Sequence, residues 1–505
     1  MLIIKPEMWS SVIAEDPDFI ERLKNRLSIR TENYRKSSNI AYFYKEIVKN
    51  FWIDIPTGIV ESLVLPYVKF ETIVDTRYDN VDKFNSQIVI DTFNEMTQNS
   101  PDFEVRPHQV AAAIKCMMLK RGICEAPTGF GKTEVIAALC KMIEGKILII
   151  NNRKNILNQI SDRMKARGIT KKIENLSDKL DLEKSDIIIS TNNLIYNRIK
   201  KNDKRYIDYL KSLKAIIIDE SHHSSAISQI TPIMISNPEY LIGFTASKHK
   251  GDRCLDDYIL DSVVGTSIFS MTSRYLRDNG YLSRIFAHYI QYPSKQPKKF
   301  YRCEADIYKD LVVNNFQRNE KVIEITRELL KHNLKTIIFI SRIEHGKMII
   351  EELKDKGIKS LFYCGSDTIY EASEEIDHKN RHLITKRKGS IEEVKDCLKN
   401  KGYNVIVGNV VFNEGIDVPE FDAGILVDAG KNIISHIQRI GRVCRKKSTG
   451  VNAALFIDFD DTSTPTMLKW TKMRIQNLLD EGISIVNSKT FYDLIEVIGE
   501  SRNAK

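Results

Sequence analysis

The sequence predicts an α/β protein: two parallel-sheet lobes in tandem, a small α+β module before them and a short helical tail after. Three observations predict it. Short β-rich runs recur from residue 106 onward, first as KILIIN (146–151), DIIIST (186–191), KAIIIDE (214–220) and LIGFTA (241–246). They resume as KTIIFIS (335–341), LFYCG (361–365), NVIVGN (404–409), AGILVDA (423–429) and AALFIDF (453–459). Apolar strands separated by helix-length segments are the βαβ pattern of a sheet covered on both faces. A less regular stretch at about 250–320 splits the two series, which gives two lobes. The length, 505 residues, allows about three domains.

The elements follow in order. Residues 1–95 form the module: DPDFIERLKNRLSIR (16–30) reads as a helix, and IAYFYKEIVKNFWIDIPTGI (40–59) as strands ending in a Pro-Thr-Gly turn. MTQNSPDFEV (96–105) reads as a linker, 104–285 as the first lobe and 310–460 as the second. Within the second lobe, 366–390 is a polar insertion ending in the basic KNRHLITKRKG, read as a solvated loop or as a loop contacting phosphates. Residues 461–505 make the tail, with WTKMRIQNLLDEGI (470–483) helical.

Composition excludes several classes. At 42% hydrophobic and 28% charged residues, the chain can bury a core and is not disordered. No apolar run approaches the ~20 residues of a membrane span. The N-terminus gains acidic residues too early for a secretion signal, so an intracellular, cytoplasmic location is expected (host cytoplasm if phage-encoded). The eight cysteines contain no C-x-x-C pair, arguing against a disulfide framework or zinc ribbon; they read as buried small hydrophobes. Trp9, Trp52 and Trp470 read as core or hinge packing. Net charge is +9, but the first 100 residues carry 12 Lys+Arg against 15 Asp+Glu, so any polyanion footprint falls on the later domains.

The strongest chemical signal is APTGFGKT (126–133), between an apolar run and a helical one. Glycines at 129 and 131 let the backbone curl its N–H groups around one anion, and the helix N-terminus adds partial positive charge. Ala126, Pro127, Thr128, Gly129, Phe130 and Gly131 form the phosphate cradle. Lys132 reaches the β- and γ-phosphates, and Thr133 ligates Mg²⁺. The second signal is AIIIDESHH (215–223). A buried strand delivers Asp219 and Glu220 at its carboxyl end, suited to holding Mg²⁺ and to orienting and deprotonating water, respectively. His222 reads as a coupling residue and His223 has no assigned role. The third is HIQRIGRVCRK (436–446), whose Arg439, Arg442 and Arg445 recur every three residues, as along one side of a helix. Such arginines suit stabilisation of γ-phosphate charge.

In this order the motifs resemble those of the superfamily 2 helicases, over about residues 104–460, and within them the UvsW-type DNA helicases. RPHQ (106–109) resembles the upstream Gln element, implying that Arg106 and Gln109 bind nucleotide, with Gln109 reading adenine. APTGFGKT resembles motif I, DESH (219–222) motif II and TAS (245–247) motif III. NNRKNILNQI (151–160) sits where motif Ia is expected and STNNL (190–194) resembles the Ib/Ic region, implying nucleic-acid contacts by Arg153 and Thr191. IIFISRIEHGK (337–347) resembles motif IV, implying Ser341 and Arg342. VVFNEGIDVPEFD (410–422), preceded by Asn409 as a further nucleic-acid contact, resembles motif V, with Gly415 and Asp417 toward nucleotide. QRIGRVCR (438–445) resembles motif VI, with Gln438, Arg442 and Arg445 catalytic. The resemblance implies tandem RecA-like lobes using ATP and Mg²⁺ to move along DNA, with RNA left open and protein partners met through 1–95. The expected function is unwinding or branch migration of forked or junction DNA in replication, recombination or repair. The alternatives are a restriction-system motor subunit, an RNA helicase and a nucleotide-switched remodelling protein.

Overall fold

The computed structural model describes all residues except 5–8, 33–37, 43, 50, 76–83, 152–153, 178–180, 222–226, 247–254, 293–296, 298–299, 366–367, 379–380, 410–420, 431–432, 444, 449 and 504–505. It divides into two units, Met1–Met271 and Thr272–Lys505.

The first unit opens with β1 (Leu2–Ile4), β2 (Trp9–Ile13), α1 (Pro17–Arg26), β3 (Ser28–Glu32), β4 (Ser38–Tyr42), β5 (Lys45–Val48), β6 (Trp52–Pro56) and β7 (Ile73–Asp75). Helix α1 starts where Asp16 accepts from the Asp18 N–H at 2.9 Å and Pro17 pre-sets φ. The strands order as β5-β6-β2-β1-β7, with β3 and β4 paired apart. Leu2, Val12, Ile53 and Ile55 close this core against Ile20 and Leu23 of α1.

The chain continues through α2 (Gln87–Asn99), α3 (Pro107–Leu119), β8 (Arg121–Glu125), α4 (Lys132–Met142), β9 (Lys146–Ile150), α5 (Lys154–Ala166), β10 (Ile173–Asn175) and β11 (Ile187–Ser190). Then come α6 (Asn192–Lys200), α7 (Lys204–Lys211), β12 (Leu213–Asp219), α8 (Ile227–Ser236), β13 (Tyr240–Thr245), α9 (Leu255–Val263) and β14 (Ser267–Ser270). Strand order is β10-β11-β9-β12-β13-β8-β14, every pairing parallel. Isoleucine-rich strands such as Ile187–Ser190 are buried along their whole length, as a sheet covered on both faces requires. The expected linker at 96–105 is corrected in its first part. Helix α2 runs to Asn99, packs on α3 and α4, and buries Phe93 and Met96, so the lobe begins at 87 and not 104.

The second unit holds α10 (Ser273–Asp278), β15 (Arg284–Ile290), α11 (Glu304–Tyr308), α12 (Phe316–Lys331), β16 (Thr336–Phe339), α13 (Ile343–Asp355), β17 (Ser360–Gly365), β18 (Thr368–Ile376) and β19 (His382–Lys388). It ends with α14 (Ile391–Asn400), β20 (Val405–Gly408), β21 (Ala423–Leu426), α15 (Ile433–Val443), β22 (Ala453–Phe459), α16 (Pro465–Asp480), β23 (Ser484–Ile485) and α17 (Ser488–Asn503). Strand order is β19-β18-β17-β20-β16-β21-β22-β15-β23.

Two expectations change here. The boundary at 285 moves to 271, because β15 pairs in parallel with β22 and β23 of the second sheet. The insertion at 366–390 is largely an antiparallel hairpin, β18–β19, that prolongs the sheet from β17. Ile369 and Tyr370 are buried, and the Tyr370 ring stacks on Phe362 at 5.5 Å, which fixes it as strand. The tail at 461–505 is largely helical, and Phe491, Ile495 and Ile498 of α17 lie in the main core. Among the described residues, no helix is long and apolar enough to cross a membrane. Trp470 is buried and Trp52 half-buried; Trp9's side chain lies outside the description. Cys116, Cys124, Cys140 and Cys397 are buried, but Cys364 is half-buried and Cys303 exposed; Cys254 and Cys444 lie outside the described residues.

Candidate active site

The phosphate loop spans the end of β8 and the start of α4. The Ala126 N–H donates to the Thr245 carbonyl at 2.8 Å, tying the loop's first residue to the end of β13. Gly129 (φ +84°) and Gly131 (φ +94°) take left-handed backbone. A Cβ at Gly131 would stand 2.1 Å from Gln109 Nε2, so only glycine fits. Phe130 is buried beside the His108 ring at 4.8 Å, and its carbonyl accepts from Gln109 Nε2 at 3.1 Å. Arg106 donates from Nη1 to the Gly129 carbonyl (2.8 Å) and from its backbone to Gln109 Oε1 (3.1 Å). Arg106 and Gln109 thus brace the loop, and Gln109 turns its amide inward. Pro127 is buried; Thr128 and Thr133 are half-buried. Glu134, in the first turn of α4, takes a bidentate bond from Arg167 at 2.7 and 3.0 Å, which pins that helix.

At the end of β12, Glu220 Oε1 meets Lys132 Nζ at 3.1 Å. Glu220 sits at φ +54°, an uncommon conformation for a residue with a side chain, as at many functional turns. Asp219 Oδ1 accepts the Glu220 N–H at 3.1 Å, and Oδ2 accepts Asn151 Nδ2 at 3.0 Å. Burial, with the adjacent Glu220 charge, pushes the Asp219 carboxyl up to about 6 despite Lys132. The site is therefore short of positive charge where a cation would sit. The Thr133 hydroxyl and Asp219 carboxylate are hard oxygen donors that fit Mg²⁺.

The raised value has a stability consequence. A carboxyl pushed up binds its proton more tightly folded than unfolded, so stability falls as pH rises from about 4 to about 6. In chelator without nucleotide, Asp219→Asn is expected to raise the unfolding temperature near pH 8 and give no gain below about pH 4. A melting series against pH checks this; equal melting at pH 8 contradicts it.

Asn151, which opens the segment resembling motif Ia, is brought by the fold to Asp219. The signal was register: β9 and β12 align Ile150 with Ile218, so their next residues meet. Arg153, His222, His223, Ser247, Gly415 and Asp417 lie outside the described residues. Thr191 is buried at the end of β11.

In the second unit, Gln438, Arg439 and Arg442 are buried on α15. The helix ends at Val443, so Arg445 does not continue its face; its carbonyl instead accepts the Ser283 hydroxyl at 2.6 Å. Arg439 Nη1 donates to Asp428 Oδ2 at 2.7 Å, and the Ser341 hydroxyl donates to the same carboxylate. Burial alone would raise Asp428, but these partners hold it down at about 2. Asp428, the anchor of this cluster, was missed in the sequence. Arg342 is exposed at the start of α13, and Asn409 is half-buried.

A phosphate loop facing an acid pair across one parallel sheet, with a second parallel-sheet unit carrying an arginine helix, defines a tandem-lobed nucleotide hydrolase. Residues 102–249 match the family described as Type III restriction enzyme, res subunit, and 318–447 match Helicase conserved C-terminal domain. Together they cover more than half of the chain. The chain belongs to the superfamily 2 helicases, ATP-hydrolysing enzymes. It is 23% identical over 380 residues to a protein named helicase 22 of Sulfolobus islandicus filamentous virus, covering 68% of this chain and 62% of that protein. It is 24% identical over 403 residues to the ATP-dependent DNA helicase uvsW of Enterobacteria phage T4, covering 75% of this chain and 74% of that protein. The structure of S. cerevisiae Dbp5 bound to RNA and ADP BeF3 aligns with a TM-score of 0.53 at 12% identity, covering 84% of this chain and 99% of that one. That likeness is one of fold.

Proposed function

We propose that this chain hydrolyses ATP with Mg²⁺ to move along DNA, unwinding or branch-migrating forked or junction DNA in replication, recombination or repair. The observation that carries the hydrolytic part is the 3.1 Å meeting of Lys132 and Glu220 at the mouth of the phosphate loop. Lys132 leaves Glu220 for the β- and γ-phosphates, and Glu220, released, orients the attacking water and takes its proton. Bound Mg²⁺ supplies charge neutralisation on the phosphates; Thr133 and Asp219 would hold it. Arg442 and Arg445 stabilise the charge that develops on the transferred phosphate, and Gln438 on α15 completes the catalytic set. Gly415 and Asp417 belong to the nucleotide-binding set, as do Arg106 and Gln109.

The DNA assignment rests on the phage relative, named as a DNA helicase, and on the net +12 carried by residues 101–505. Arg153, Thr191, Ser341, Arg342 and Asn409 contribute to the strand contacts, and residues 1–95 serve protein partners. Steady-state ATP hydrolysis tests the reading, with no nucleic acid, single-stranded DNA, a fork, a four-way junction, or RNA. The expected result is strongest stimulation by forks or junctions, lost in Lys132→Ala. Stimulation by RNA alone would move the substrate to RNA. Turnover indifferent to every polynucleotide would leave a nucleotide switch.

A further inference from the structure

Beyond β21 the backbone runs Val427–Asp428–Ala429, and Asp428 anchors Arg439 of α15. The Asp428 carboxylate also accepts the Gly430 N–H at 2.7 Å, and Arg439 Nη2 reaches Ser341 Oγ at 3.3 Å. The direction of that carboxylate depends on the peptide groups on either side of it. Both are gripped by buried guanidinium groups. Arg318, from α12, donates to the Val427 carbonyl through Nη2 at 3.0 Å and Nε at 3.3 Å. Arg474, from α16, donates to the Ala429 carbonyl through Nη1 at 3.1 Å.

The two arginines are held in turn by acids from the end of β22. Arg474 Nε meets Asp458 Oδ2 at 2.8 Å, and its Nη2 meets Asp461 Oδ2 at 3.1 Å. Arg318 Nη1 pairs with Asp461 Oδ1, which also accepts the Tyr292 hydroxyl at 2.7 Å. All four charged side chains are buried, at no more than 2% exposure. Burying four charges is expensive even when they are paired, and an apolar set of the same volume commonly holds a fold at least as well. What an apolar set cannot do is hold two carbonyls at fixed positions around one carboxylate. A planar guanidinium can, because its donors are rigidly spaced.

We propose that Arg318 and Arg474 are positioning residues for hydrolysis, acting through Val427 and Ala429 to hold Asp428, and through it Arg439 and helix α15, in the hydrolytic arrangement. This gives helix α16, in the segment after the second lobe's last long strand, a part in the motor. It rests on the reading of α15 as the arginine helix of an ATP-hydrolysing enzyme.

The test uses the full chain, with polynucleotide-stimulated turnover and thermal unfolding measured on each variant. Arg474→Lys keeps the charge but cannot reach Asp458, Asp461 and the Ala429 carbonyl together. Its kcat is expected to fall about tenfold or more, with KM for ATP within about twofold of wild type and cooperative unfolding retained. Tyr292→Phe, which removes one hydroxyl from Asp461, is expected to lower kcat about threefold. Arg474→Lys combined with Asp428→Asn should be no slower than Asp428→Asn alone, because both act on one element. A folded Arg474→Lys protein with wild-type kcat overturns the proposal, as does a loss of kcat that merely tracks the unfolded fraction. Should Arg474→Lys fail to fold, Tyr292→Phe decides, and an unchanged kcat overturns the proposal. Wild-type protein lacking Lys132-dependent hydrolysis brings down the functional reading itself, and this proposal with it.

Discussion

Lys132→Ala is expected to lower kcat/KM for ATP by about three orders of magnitude. Lys132 opens α4, where the helix terminus adds its partial charge to that of the ammonium. It is the cation the structure brings to the acid pair, at 3.1 Å from Glu220. Its removal takes away the phosphate's counter-charge and also leaves Asp219 and Glu220 facing each other with less compensation. Asp219 should then move further up, and the variant should melt at a lower temperature near pH 8 than at pH 5. Phosphate-release kinetics and a nucleotide titration measure the first effect, and melting curves the second. Activity within tenfold of wild type would remove the phosphate loop from the mechanism.

Glu220→Gln separates binding from chemistry. The amide keeps the shape of the side chain but cannot take a proton from water, so kcat should fall about 10²–10⁴-fold. Nucleotide affinity should rise at the same time, by several-fold. In the free protein Lys132 is held by Glu220, and phosphate must win it from that carboxylate; the amide releases it in advance. Equilibrium titration with a fluorescent ATP analogue, beside single-turnover hydrolysis, reads both. Weaker binding together with slower hydrolysis would mean that Glu220 holds the loop's structure and not its proton transfer.

The legible parts of this protein were those in which one short segment carries the whole signal. The phosphate loop and the Asp219–Glu220 strand end are such segments, because the backbone around each is fixed by its own glycines or by an isoleucine run. The hairpin at 366–390 was illegible for a physical reason. Glu371, Glu374, Glu375, Lys386 and Lys388 dilute its alternation, while Tyr370 and Ile384 turn to the main core and Ile369 is buried. Arg318 and Arg474 were illegible for another. Charged residues on helices read as solvated faces, and their partners at Val427 and Ala429 are brought to them by packing. The spacing of Arg439, Arg442 and Arg445 suggested one helical face, but α15 stops at Val443 before the third.

Helix α9 has two allegiances. Leu260 and Val263, with Val264 just beyond the helix, belong to the core of the sheet that carries the phosphate loop, whereas Tyr258 packs into the N-terminal module's own core and Ile259 packs against both. The same helix leads into β14, which pairs with β8 directly before the loop. The module is therefore not an appendage on a string but a keel. Cutting the chain after residue 75 would lay bare an apolar seam on α9 and loosen the strand that seats the nucleotide. Residues 1–75 and the first lobe should accordingly melt in a single transition, and a motor stripped of them should be prone to aggregate before it is simply slower.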